Sequence, residues 1–446
     1  LRARCRSTAQ ARGGDFDDDP EVFGNRARAF PVTAANLADI SRASAPARGR
    51  PLLALEALNV FMADIQAGIG PFLGVFLLAH GWKSGWIGTV MTIGGVAGVI
   101  ATAPAGALID ATTRKRLYIV LSGFCTVAAS AALLISQNVW LVSASQVATA
   151  IAGAVIVPAV TAITLGVVGP QSFNRQMGRN QAFNHAGNVA GAALSGFLGW
   201  KFGLDAVFYL AALFGLLSIG AVAAIPESAI DHRRARGLGD GEDSQASGLA
   251  TLFENRPLVV LAVALLFFHL GNAAMLPLYG LAVSSGKQAN PAAFTGLTIV
   301  VAQTVMIASS LAVMRLSTQR GLWLAMLVSF ASLPVRGVAA ALCIAPWGVY
   351  PVQALDGVGA GLQSVAVPAL VAHLLGGSGR VNVGIGAVMT MQGVGAALSP
   401  ALGGWIAQGF GYPAAFVTLG AISVVSLGAW LGFAGDLRKP TEDEKA

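Results

Sequence analysis

Ionisable and amide side chains are few inside the apolar stretches of this chain, and they fall in groups. The stretch near 52–79 holds Glu56, Asn59, Asp64 and Gln66 ahead of Gly68, Gly70 and Pro71, and the one near 181–202 holds Gln181, Asn184, His185 and Asn188 at three-and-four spacing. His269 and Asn272 share a face near 257–283, Arg336 stands near 321–344, and Gln353, Asp356 and Gln363 share a face near 347–375. A charged side chain in hydrocarbon costs at least about 2.5 kcal/mol, so each must meet a partner or line a polar cavity. Carboxylates, imidazoles and amides so placed can exchange protons and hydrogen-bond a polar solute. Metal binding is excluded, because no cluster of soft ligands accompanies either histidine.

Several of these residues carry two readings. At about 100° per residue Asn59 and Gln66 share one helix face while Asp64 points elsewhere, so Asp64 is either a cavity carboxylate or a hydrogen-bonded lock between helices. His185 and His269 are either satisfied buried imidazoles or proton carriers. Arg336 and Asp356 each lie ten residues from Pro346, the mark of a hairpin, which puts both about 15 Å along their axes at equal depth. They are read as a structural ion pair, or as a pair in which substrate or a proton competes for Asp356.

The elements that must position these groups are membrane helices. With 55% hydrophobic and 11% charged residues, and a mean hydropathy of +0.68, the chain cannot clothe a soluble globule. Apolar runs bounded by charge, Gly or Pro predict twelve spans near 52–79, 86–109, 117–137, 139–168, 181–202, 206–225, 257–283, 293–314, 321–344, 347–375, 382–407 and 414–434. Lys and Arg concentrate in the connections after even-numbered spans, as in Arg114, Lys115, Arg116, Arg175, Arg179, Arg233, Arg315 and Arg380, against Lys83, Lys201 and Lys287 on the other side. The positive-inside rule then places both termini in the cytoplasm, in an inner (cell) membrane. The expected organisation is a disordered tail over 1–50, six-helix bundles over 51–226 and 257–435, a cytoplasmic linker over 227–256 and a tail over 436–446. A net charge of +7 without a basic stripe interleaved with aromatics excludes nucleic acid as a partner. Cys5, Cys125 and Cys343 are too dispersed for a disulfide framework, and no cofactor is expected.

The chain also repeats itself. Gly-Ala-Ala-Leu-Ser occurs at Gly191–Ser195 and at Gly395–Ser399, and Val157-Pro158-Ala159 is echoed by Val367-Pro368-Ala369. Two halves that run in the same sense predict a carrier with its site between them. At the second connection, Gly106, Leu108, Asp110 and the basic cluster Arg114-Lys115-Arg116 resemble the loop signature of the major facilitator superfamily, with Ala111 and Thr113 replacing an inner Arg and a Gly. The resemblance spans about 51–435. It implies that Gly106 lets the second helix press on the eleventh and that Asp110 caps that helix's N-terminus in one conformer, biasing a gate in which Arg114 takes part; the plain alternative is a solvated loop that sets topology. In the second half Arg315 falls where that Asp would be. The run Gly395 to Gly404, with Ser399 and Pro400, resembles the family's antiporter glycine-proline motif, displaced from the fifth helix to the eleventh; helix packing around a bend at Pro400 explains it equally. Where family drug antiporters carry an Arg on the fourth helix, Ser143 stands here, with Gln146 three residues on.

The resulting expectation is a monomeric carrier that moves a small organic molecule between two rocking bundles, with protons as coupling ion and export as direction. Uptake of an anionic metabolite is the alternative within the class, and would call for embedded cations. A membrane enzyme or a transporter-like sensor is the alternative outside it. Neither the loops nor the linker holds the clustered acids and histidines, or the folded extra domain, that these would require.

Overall fold

The computed structural model describes residues 49–63, 69–233, 235, 255–314, 319–375 and 381–432. The N-terminal tail, Asp64, Gln66, most of the linker, Arg315, Arg380 and the C-terminal tail lie outside the described residues. What is described is helical, without a strand, and comprises twelve membrane spans. Ten helices are long and apolar enough to cross a bilayer, and one of them, Val139–Phe202, contains two crossings. It is divided at Gly169, whose φ of 70° lies in the left-handed region and whose follower Pro170 starts the next crossing. The break sits eleven residues ahead of the boundary the apolar run predicts, so Arg175 and Arg179, expected in a connection, belong to the fifth span.

Span one is described over Arg50–Ala63 and Ile69–Ala79, with Pro71 in the latter stretch. Span seven crosses as one helix, Arg256–Ser285, with a local irregularity at Ala273 and Ala274, both of which keep right-handed helical dihedrals (φ −63°, ψ −31° and φ −76°, ψ −24°). The remaining spans are Ser84–Ala111, Lys115–Ile135, Asp205–Ala223, Pro291–Met314, Gln319–Leu342, Val349–Leu374, Val381–Phe410 and Tyr412–Gly432.

The two six-helix halves meet along three seams, all toward the side where span one ends at Ala79, the His80 side. The His80-side stretches of spans one and seven share a core that includes Leu73, Phe76, Leu77, Met275, Leu278 and Tyr279. Spans two and eleven are joined by Ser84 Oγ to Gly404 O (3.1 Å), Gly85 N to Gln408 Oε1 (3.1 Å) and Trp405 Nε1 to Thr89 Oγ1 (3.0 Å). A Cβ on Gly88 would stand 2.0 Å from Pro400 O, so only glycine permits that approach. Spans five and eight approach backbone to backbone, where a Cβ on Gly196 would come within 3.2 Å of the Gly296 Cα. Toward the opposite, Arg50 side, a Cβ on Gly106, Gly178 or Gly386 would meet open space. Among the described residues the contacts that join the halves thus gather on the His80 side.

Candidate functional site

A buried polar cluster lies beside the irregular turn of span seven. There the Ala274 N–H is taken by Ser399 Oγ of span eleven at 2.9 Å, and Asn272, just before it, meets spans nine and ten. There Arg336 Nη1 donates to Asp356 Oδ1 (2.8 Å) and to Asn272 Oδ1 (2.5 Å), Nη2 donates to Gln353 Oε1 (3.0 Å), and Nε donates to Val352 O (3.2 Å). Asn272 Nδ2 closes the ring by donating to Asp356 Oδ1 at 3.0 Å. Arg336 is wholly buried and its charge is met by a carboxylate and three further acceptors, as a guanidinium in hydrocarbon must be. The Asp356 side chain keeps 12% exposure, and Gln353 Nε2 is buried without a partner. One carboxylate edge and one amide donor thus remain for a solute, a proton or water. Asn272, Gln353, Asp356 and Arg336, read from two separate faces in the sequence, form one hub. His269 does not join it by hydrogen bond, since its Nδ1 donates one turn back to Leu265 O at 3.0 Å.

The polar face expected on span five divides in two. Asn184 and Asn188 point into the first half, where Asn188 Nδ2 donates to Asn184 Oδ1 (3.3 Å) and Asn184 Nδ2 to Asn59 O (3.4 Å). Asn59 spends its own amide on Leu55 O, one turn back (2.8 Å). Two residues the sequence reading passed over extend this row: Gln176 donates to Asn180 Oδ1, and Asn180 to Thr164 Oγ1 of span four, both at 2.9 Å. Their i, i+4 spacing from Asn184 was the available signal. His185 instead faces Gln303 of span eight across the seam between the halves, and its Nδ1 has no hydrogen-bond partner. Near the Arg50 side, Arg179 pairs with the buried Glu56 of span one at 2.6 Å.

The loop after span two is tied down within the first half. Gly106 touches nothing across the seam, and Asp110 is exposed on a cavity of about 560 Å³ between spans two and four that also takes in Thr102, Pro158 and Ala235. Arg114 is exposed at the start of span three. Its neighbours are the engaged ones. Lys115 is buried and its Nζ donates to Ile109 O and Thr112 O at the end of span two, while Arg116 donates to Val222 O and Ala223 O at the end of span six and lies 3.5 Å from Glu227. Cations at helix C-termini satisfy the last carbonyls and the dipole together. Pro400 lies in the closed seam, and the next amide, Ala401 N–H, is taken by Thr92 Oγ1 of span two at 3.0 Å.

Twelve membrane spans in two halves, with a buried charged hub inside one of them, fit the architecture of a secondary transporter. Residues 55–335 match the family model described as Major Facilitator Superfamily. The chain belongs to the major facilitator superfamily. Two proteins named as uncharacterized MFS-type transporters, one from each of two strains of Mycobacterium tuberculosis, are 41% identical to it over 374 residues, covering 83% of this chain and 90% of theirs. Among solved structures, the nucleoside transporter NupG superposes with a TM-score of 0.70 at 13% identity, covering 86% of this chain and 98% of that one. A bacterial homolog of the human lysosomal transporter Spinster, in an inward-facing and occupied conformation, gives 0.65 at 12% identity, with coverage of 89% and 100%. A bacterial homologue of the human drug peptide transporters gives 0.64 at 13%, with coverage of 87% and 98%. These superpositions carry the fold. This member of the family is an integral membrane transporter of small molecules.

Proposed function

We propose that this facilitator exports a small organic molecule by alternating access and that protons drive it, from an inner membrane with both termini in the cytoplasm and as a monomer. The observation that carries the coupling is the hub beside the irregular turn of span seven. Asp356 holds Arg336 and Asn272 through one oxygen while its side chain stays partly open, so protonation would remove the charge that restrains both. Asn272 directly precedes that turn, and releasing it would loosen span seven below the stretch that packs in the His80-side seam. A proton entering Asp356 and a solute hydrogen-bonded to Gln353 would thereby act on one joint. His185 against Gln303 and His269 beside the hub are further candidates on the proton path. Asp64, outside the described residues, is a second carboxylate in the proposal.

Export is favoured over uptake of an anion because Arg336 and Arg179 are each engaged by a carboxylate, leaving neither as a ready anion site. The test is substrate movement in proteoliposomes under an imposed pH gradient. Asp356→Asn leaves the buried Arg336 charge without its carboxylate and should lower the melting temperature; the monodisperse fraction is expected to retain exchange while losing acceleration by the gradient. If the variant still responds as the parent does, Asp356 is not the coupling group, and the same assay on Asp64→Asn decides for that residue.

A further inference from the structure

Spans three and four meet as spans nine and ten do. Ser122 Oγ donates to Ala152 O at 3.3 Å and Ser329 Oγ to Gly359 O at 3.0 Å, and in each pair the residues are 30 apart in sequence. Carrying that register along both pairs of spans sets Ala129 in the place of Arg336, Gln146 in the place of Gln353 and Thr149 in the place of Asp356. The second half fills this position with an ion network. The first half leaves it empty.

A cavity of about 480 Å³ lies there, lined among others by Thr126, Ala129 and Ser130 of span three, Gln146 and Thr149 of span four, and Gly70 of span one. Its size is that of pockets for small organic ligands, about 300–1,000 Å³. Ser130 is 2% exposed, yet its Oγ has no hydrogen-bond partner. A buried hydroxyl left unbonded is costly, and it marks a place where a partner enters from outside the protein. Thr126 and Thr149 spend their protons on Ser122 O and Ser145 O, which leaves their oxygens as acceptors. No Asp, Glu, Lys, Arg or His stands among the described lining residues, so a charged guest would lose its hydration with no counter-charge in return.

We infer that this cavity binds an uncharged molecule, an apolar body carrying a hydroxyl or amide, and that it receives the neutral part of the transported solute. The second clause rests on the transport reading; the first stands on the cavity itself. Occupancy is measured on the purified full-length protein by ligand-induced shift of the melting temperature, with benzamide, benzoate, benzamidinium and benzene as probes of one shape. Benzamide is expected to raise the melting temperature, and the two ions and benzene are not. Ala129→Phe, which fills the cavity, should abolish the benzamide shift. Ser130→Ala removes a hydroxyl that bonds nothing in the empty protein, so it should leave the unliganded melting temperature unchanged or higher while weakening benzamide about five-fold.

Benzoate or benzamidinium stabilising as well as benzamide would overturn the neutral assignment, and benzene doing so would reduce the cavity to an apolar void. A benzamide shift that survives both substitutions would place the binding elsewhere. Should Ala129→Phe fail to fold by size-exclusion chromatography, Ser130→Ala decides alone. Competition by benzamide for transport in proteoliposomes separates the two clauses: binding without competition leaves a neutral site off the solute path, and carrier activity with no benzamide binding sinks the site while sparing the transport reading.

Discussion

The two halves of this transporter place opposite solutions at equivalent depth. Spans nine and ten bury Arg336 and Asp356 in a ring of hydrogen bonds, and spans three and four leave Ala129, Gln146 and Thr149 around a cavity. The difference divides the labour. A filled, charged position resists deformation until a proton changes its charge, whereas an empty, neutral one can take in part of a solute without breaking anything. On the proposed function, a repeat that has diverged in this way would give one half the coupling chemistry and the other the room for a ligand.

The largest effect that would break this contrast is expected from Arg336→Ala. It strands Asp356 at the bottom of the hub, so the folded protein should lose about 3–5 kcal/mol, read as a fall in melting temperature or in monodisperse yield. Arg336→Met with Asp356→Leu should recover most of that loss while transport stays absent; a double variant as unstable as the single one would mean that the hub matters for reasons other than charge.

Gly88→Ala comes next. Its Cβ would collide with Pro400 O in the closed seam, and about 1–3 kcal/mol of strain should fall on this conformation alone. Gly106→Ala meets open space here and should leave the melting temperature unchanged while slowing transport, because the family resemblance makes that glycine a contact of the opposite conformer. Equal effects of the two on stability would contradict an alternation between the sides. Smaller still is Ser399→Ala, which removes the hydroxyl that takes the free Ala274 N–H and should cost about 1 kcal/mol in a denaturation measurement. The matching change on the empty side, Ser130→Ala, should have the opposite or no sign in the absence of ligand.

Much of the fold was legible in the sequence, because span length and apolar composition are set by the bilayer and leave little choice. The equal depth of Arg336 and Asp356 needed only Pro346 as the turn and a fixed rise per residue, and the two stand 2.8 Å apart. The irregular turn of span seven was not legible. Gly271-Asn272-Ala273-Ala274 contains no proline, and the hydroxyl that takes the Ala274 N–H, that of Ser399, comes from a span more than a hundred residues away. Arg179 was assigned to a connection because apolar composition begins only after it, although Gly169-Pro170 carried the local signal for an earlier helix start. Its partner Glu56 shows how a charge is taken into a helix that composition alone would end. The cavity of the first half was hidden for another reason. It is made by residues that are small or neutral where their counterparts are large and charged, and an absence has no letter in a sequence until the register of the two halves is known.

The central claim is that the seams open and close in alternation about this asymmetric middle. Spin labels on otherwise cysteine-free protein in lipid nanodiscs, at Ala111 and Val383 on the Arg50 side and at His80 and Ser285 on the other, measure both sides at once by pulsed dipolar spectroscopy. The account predicts two distance populations for each pair, shifting in opposite senses between pH 8 and pH 5.5 and no longer shifting in Asp356→Asn. Distances that stay single-valued, or that lengthen and shorten together on both sides, would contradict it.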